Sequence, residues 1–206
     1  DYEKGKPKQH PVGMTFQFKG GSNQTLFDSP ADWISPNPEG GYRDDPPDPG
    51  GSKVILNDTD HLWGSGGNQA WVWKSFLRGM NPIFMDPYDG GVLDSAFNPE
   101  WEPIRRSMGY TRRLAERMNL IEMEPHGELA STEYCLANPG AEYLVYLPEG
   151  GEVTVDLSGG AGQFAVEWLN PTTGEAITAN AVAGGARRDF TAPFGGDAVL
   201  YLTRRD

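Results

Sequence analysis

The feature that most constrains this fold is a change of hydrophobic period near residue 126. Upstream of it, runs with strand spacing and runs with helical spacing alternate. Downstream the helical spacing disappears, leaving short runs punctuated by Gly, Pro and Asp. No single layer of secondary structure accommodates both patterns. The chain is therefore expected to divide into an α/β part, residues 1–125, and an all-β part, residues 126–206.

In the first part, His10 to Phe18 sets Val12, Met14, Phe16 and Phe18 against Gly13, Thr15 and Gln17, which is a strand pattern. Lys53–Asp58 and Asn81–Asp86 are short apolar runs that each end in an aspartate. Between the first two strands lies a segment rich in Gly, Pro, Asp and Asn, and connections of that length are uncommon unless functional. Within it, Ser29-Pro30-Ala31-Asp32-Trp33-Ile34 carries the start signals of a short helix, with Ser29 as N-cap. Gln69–Leu77 reads as a helix with Trp73, Phe76 and Leu77 on one face and Gly79 as C-cap. A longer helix is expected from Asn98-Pro99, with Trp101, Ile104, Met108, Ala115 and Met118 at helical spacing. Strands followed by helices imply a parallel sheet covered by helices.

In the second part, Tyr134–Ala137, Tyr143–Leu147, Val153–Leu157, Phe164–Leu169, Asp189–Thr191 and Ala198–Leu202 alternate with turn signals such as Pro148-Glu149-Gly150-Gly151. They predict a small antiparallel β-sandwich. Trp168 is expected in its core, with Asn170–Gly174 making a hairpin turn.

The net charge of −12 argues against nucleic acid as a partner, because phosphate contacts need a basic footprint. No stretch approaches the roughly 20 apolar residues of a membrane span. The single cysteine, Cys135, cannot form an intrachain disulfide. Neutral ligands such as sugars fit this composition. Asp1 to Lys8 contains neither a Met nor the apolar run of a signal peptide, so the chain is expected to be a C-terminal fragment. Its location is left open, with secretion or the periplasm the expected destination. Three parallel strands alone would leave an open edge and an apolar face, predicting poor solubility.

The chemistry concentrates where Val54-Ile55-Leu56 runs into Asn57-Asp58-Thr59-Asp60-His61-Leu62-Trp63-Gly64. Ionised groups at the edge of a core are costly, and in α/β proteins the carboxyl ends of strands hold ligands and catalytic groups. Asp58 and Asp60 are the catalytic candidates. With a period of two both would face one side, so one serves as nucleophile or base while the other tunes it or binds a hydroxyl. The alternative is structural: Asp58 caps a loop and Asp60 pairs with an arginine such as Arg78. An Asp-x-Asp also holds metal in nucleotide-sugar transferases, but no nucleotide-binding partner is visible. The phosphatase motif wants Thr or Val where Leu62 stands. His61 could donate a proton, bind a hydroxyl or ligate a metal. No further His or Cys stands at ligand spacing, so neither metal nor cofactor is expected. Asp86 and Tyr88, in Asp86-Pro87-Tyr88-Asp89-Gly90-Gly91, are candidates for the same pocket, with a plain turn as the alternative. Trp33 and Trp63 are expected on loops near the strand ends, where an indole suits a sugar ring. Trp71, Trp73 and Trp101 are expected in the core.

Taken in order, Asn57 to Gly64, Trp73-Lys74-Ser75-Phe76-Leu77-Arg78-Gly79 and Pro82-Ile83-Phe84-Met85-Asp86-Pro87-Tyr88 resemble the C-terminal half of a bacterial glycoside-hydrolase-like (β/α)8 barrel family, whose best-known enzymes are apiosidase-type. Ser131 to Ala137, Tyr143 to Pro148 and Trp168-Leu169-Asn170-Pro171 resemble the β-sandwich appended to those barrels and named for collagen binding. The resemblance implies the C-terminal portion of a TIM barrel followed by a sandwich. His10–Phe18, Lys53–Asp58 and Asn81–Asp86 would be about the sixth, seventh and eighth strands. It implies a nucleophile after the seventh strand, hence Asp58 or Asp60 in place of the usual Glu. The acid/base after the fourth strand would lie outside these residues. A polysaccharide or oligosaccharide is the implied substrate. Three roles stay open: a glycoside hydrolase, a non-catalytic binder of glycan or collagen, and a sandwich that only supports the barrel.

Overall fold

The computed structural model describes residues 2–60, 67–85, 99 and 101–205. Strands β1 (Gly13–Thr15), β2 (Trp33–Ser35), β3 (Val54–Asp58) and β4 (Asn81–Ile83) form a parallel sheet in the order β1-β2-β3-β4. Helix α1 (Asn23–Phe27) lies between β1 and β2, α2 (Gln69–Leu77) between β3 and β4, and α3 (Glu102–Ala115) follows β4. Each new strand is added on the same side of the last, so the sheet winds in one direction.

One of these strands departs from the expectation. Trp33–Ser35, where the Ser-Pro signal predicts a helix, is β2. The Ser29 hydroxyl donates to Leu26 O at 2.7 Å and so closes the end of α1 instead of capping a new helix. Lys53 Nζ then ties the carbonyls of Ser29 and Ala31 at 2.6 and 2.5 Å, drawing the segment alongside β3.

Strand β3 shows the period-two logic of the sheet. Ile55 and Asn57 are buried on the helix side, whereas Val54, Leu56 and Asp58 lie on the opposite, more open face. The connection from β2 to β3, residues 36–53, fills the helix layer without being a helix of any length. Its Tyr42 is buried, and Asn57 Nδ2 donates both to Tyr42 O and to Ser75 Oγ, each at 2.9 Å.

Helix α2 forms as its sequence dictates. Asn68 Oδ1 caps Trp71 N at 2.8 Å. At the other end, Gly79 (φ 70) allows Met80 N to reach Ser75 O and Gly79 N to reach Phe76 O, the paired bonds of a Schellman ending. The helix is apolar on two sides. Trp71 and Val72 pack toward the parallel sheet, and Trp73 and Leu77 toward the all-β part. In α3 the buried face is Ile104, Ser107, Tyr110, Thr111 and Leu114, with Trp101, Met108 and Ala115 only half-buried. Asn98, the expected cap, lies outside the described residues, and Glu102 is the first residue of the helix.

The all-β part comprises β5 (Glu124–Pro125), β6 (Cys135–Asn138), β7 (Glu142–Leu147), β8 (Glu152–Asp156), β9 (Gln163–Leu169), β10 (Ala176–Ala183), β11 (Arg187–Thr191) and β12 (Ala198–Arg204). Six of them make one antiparallel sheet, β10-β9-β12-β7-β6-β5, and β8 with β11 makes a second. Residues such as Val145, Val155, Phe164, Trp168, Phe190 and Leu200 fill the space between the two sheets. The opposite face of the larger sheet is covered as well. Tyr134, Leu136, Leu144, Tyr146, Val199 and Tyr201 share one apolar cluster with Trp73, Leu77, Tyr110 and Leu114 of α2 and α3. Every residue of β7 is therefore buried, the pattern of a strand enclosed on both sides.

Polar groups edge this shared cluster. Tyr134 donates to Asp45, Tyr146 to Asp197 and Tyr201 to Glu142. Arg117 of the segment after α3 makes a two-pronged pair with Glu167 of β9 at 2.9 and 3.0 Å. The Arg78 guanidinium lies 4.9 Å from the Tyr134 ring centre. Buried Cys135 is a packing residue, since burial pushes its thiol up to about 12.

Candidate active site

Asp58 is the last residue of β3, in register with Ile83 of β4, on the face of the sheet away from the helices. Its Oδ1 accepts the Asp60 N–H at 2.9 Å. The strand ends there, so Asp60 stands exposed in a turn, and the strand period does not carry it onto the face of Asp58. The turn orients the Asp58 carboxylate through one oxygen, leaving the second without a partner among the described residues. Arg78 does not serve Asp60: its Nε donates to Pro46 O at 3.2 Å.

Two neighbours absent from the sequence reading hold this strand end. Thr59 is fully buried, and its N–H donates to Ile83 O at 3.0 Å while its hydroxyl oxygen accepts Met85 N at 2.8 Å. The ends of β3 and β4 are thereby gripped together one residue beyond their pairing. Asn57 anchors the other side of the strand to α2 and to the long connection, as described above. Its signal in the sequence is a polar side chain at the parity of buried Ile55. Phe18, in the turn that follows β1, is 70% exposed at the same end of the sheet.

Trp33 lies elsewhere. It opens β2, paired with Val54, and its ring covers Gly13 so closely that any Cβ there would collide with it. Asp58 is four residues farther along β3 from Val54, about 13 Å at the usual strand rise. A cavity of about 660 Å³ on the open face is lined by His10, Pro11, Asp32, Trp33, Val54 and Leu56. It therefore lies toward the amino ends of the strands, and the candidate carboxylate lies at the carboxyl end. His61, Trp63, Asp86 and Tyr88 lie outside the described residues. Among the described residues no group of three His, Cys, Asp or Glu side chains is placed to hold a metal ion, and no helix is long and apolar enough to cross a membrane.

Residues 122–203 match a protein family described as "Putative collagen-binding domain of a collagenase". Among solved structures, the chain is similar to one described as a glycoside hydrolase, with TM-score 0.57 and 15% identity over 76% of this chain and 44% of that one. It is also similar to a family 5 glycoside hydrolase from Bacteroides vulgatus, with TM-score 0.53 and 16% identity over 66% of this chain and 35% of that one. At these identities the likeness is one of fold. The chain spans less than half the length of either structure. No curated protein matches it by sequence.

Proposed function

We propose that residues 1–125 are the C-terminal part of a (β/α)8 barrel of apiosidase-like kind, and that the whole protein hydrolyses glycosidic bonds in a polysaccharide. The observation that carries this reading is the position of Asp58. It ends the third of four parallel strands wound in one direction, on the face away from the helices, where barrel enzymes keep their catalytic groups. The fold likeness to glycoside hydrolases supports it. Asp58 is the nucleophile or base, and Asp60 fixes its orientation through the N–H at 2.9 Å. The opposing carboxylate comes from another part of the barrel. In a closed barrel the cavity at Trp33 belongs to the interior layers that side chains fill, which makes Trp33 a packing residue in preference to a sugar platform.

Residues 126–206 form the appended sandwich, and its role is to cover the barrel helices. The larger sheet gives one face to α2 and α3, and the sandwich's described residues expose no large apolar side chain for a ligand. The family match favours a second role, binding of collagen or glycan. Retention of the chain on immobilised collagen would support that role.

The catalytic reading is tested by titrating an oligosaccharide into the chain and following amide shifts by NMR. Changes are expected at Thr15–Phe18 and Asp58–Asp60. Changes confined to the Trp33 cavity, or none at all, would contradict it.

A further inference from the structure

Strand β10 ends the six-stranded sheet, and among the described residues no strand pairs with its second edge. Exposed edges of this length normally carry Lys, Pro or inward charges that block pairing with another chain. Apart from one bulge, β10 lacks such devices: Ala176-Ile177-Thr178-Ala179-Asn180-Ala181-Val182-Ala183 holds neither a charge nor a proline, in a chain of net charge −12. Ala176, Thr178, Asn180 and Ala183 are exposed, so small side chains flank the edge. A bulge between Ala179 and Val182 bends the strand without adding charge.

The two ends of this neutral strand carry opposite charges. Glu175 precedes it, exposed, and its carboxylate meets no cation among the described residues. At the other end the Arg188 guanidinium donates to Ala183 O at 2.7 Å and Gly184 O at 3.5 Å, with no carboxylate partner. Arg188 thus closes the last carbonyls of the edge and leaves the stretch from Ala176 to Val182 open.

We propose that β10 pairs antiparallel with β10 of a second copy of this chain, across a two-fold axis near Ala179. With the bulge counted, that symmetry brings Ala176 of each copy opposite Ala183 of the other, and Glu175 opposite Gly184, beside the guanidinium of Arg188. Two equivalent ion pairs then bracket the joined strands, and the two six-stranded sheets become one. The contact is small and transient, because a single pair of strands buries less than a standard interface of roughly 1,600 Å².

Sedimentation of the whole chain over a dilution series tests this. The wild type is expected to move from monomer toward twice the monomer mass as concentration rises, and to return toward monomer as salt is added. Glu175→Arg is expected to abolish the dimer, and the double variant Glu175→Arg/Arg188→Glu to restore it. Glu152→Arg, on β8, serves as a charge control and should leave the dimer intact, and thermal melts verify that each variant is folded. A wild type that stays monomeric at every concentration overturns the proposal. So does a dimer that survives Glu175→Arg, which would assign association to the open face of the parallel sheet.

Discussion

The Tyr146 hydroxyl donates to Asp197 Oδ2 at 2.9 Å, and the same carboxylate receives Gln69 Nε2 at 3.0 and 2.8 Å. A strand of the all-β part, a turn of the all-β part and the first residue of α2 thus meet at one group, beside an apolar cluster built from both parts of the chain. The two parts are therefore expected to melt together. Tyr146→Phe removes one bond to a charged acceptor and should cost about 1.5–3 kcal/mol. Trp73→Ala removes a fully buried ring from the shared cluster and should cost about 3–5 kcal/mol. Denaturant titrations followed by fluorescence and by far-UV circular dichroism check both, and separate transitions for the two parts would contradict the shared core.

A second expectation concerns alkali. Burial raises the hydroxyl of Tyr42 to about 12, and raises those of Tyr134, Tyr143, Tyr146 and Tyr201 as well. For Tyr134, Tyr146 and Tyr201 the neighbouring carboxylates Asp45, Asp197 and Glu142 push in the same direction. The folded state holds these protons more tightly than the unfolded state. Their contribution to stability is complete below the ordinary tyrosine value of about 10 and is lost as pH rises above it. Ultraviolet titration should show these five ionising only as the chain unfolds. Five reversible ionisations near the ordinary value in the folded protein would contradict the packing described.

At the acid end, Asp156 is held down at about 2, first by its bonds to Ser158 and then by Arg187. Its folded value lies below the unfolded one, so its contribution is present above the ordinary carboxylate range and is lost as pH falls toward 2. A carboxyl NMR titration should find its midpoint near 2, and Ser158→Ala should move it upward. An unchanged midpoint in that variant would remove the Ser158 hydroxyl as a cause and leave the Ser158 N–H and Arg187.

Most of the all-β part is legible in the sequence because its strands are short apolar runs separated by turn signals rich in Gly, Pro and Asp. Trp168 is buried and Asn170 caps its turn by accepting Thr172 N and Thr173 N at 2.9 and 3.1 Å, as its Asn-Pro-Thr-Thr-Gly sequence implies. β10 escaped notice because Ala, Thr and Asn on an edge strand carry little hydrophobic signal. β2 escaped it because Ser29 and Lys53 impose a local geometry that the Ser-Pro motif does not encode. The bounds of α2 and its Gly79 ending are legible in the sequence, whereas its Asn68 cap and its second apolar side emerge only in the structure. Tyr143-Leu144-Val145-Tyr146-Leu147 held that clue, since an unbroken apolar strand needs cover on both faces. At the candidate site Asp58 stands at the strand end as its motif suggests, whereas the grip of Thr59 depends on β4, far away in sequence.

That grip makes its own prediction. Thr59→Val keeps the shape of the side chain and strips the acceptor from Met85 N, a loss of about 1–3 kcal/mol if the amide finds no other partner. Thr59→Ser should restore most of it. Equal stability of the valine variant and the wild type would show that the hydroxyl does not hold the two strand ends.

The central claim rests on Asp58. The most direct measurement is release of reducing sugar from plant and bacterial polysaccharides by the protein that carries this chain, compared with its Asp58→Asn and Asp60→Asn variants. Loss of nearly all activity in Asp58→Asn, with a folded protein and a smaller loss in Asp60→Asn, is the predicted result. Unchanged sugar release in both variants would contradict the assignment.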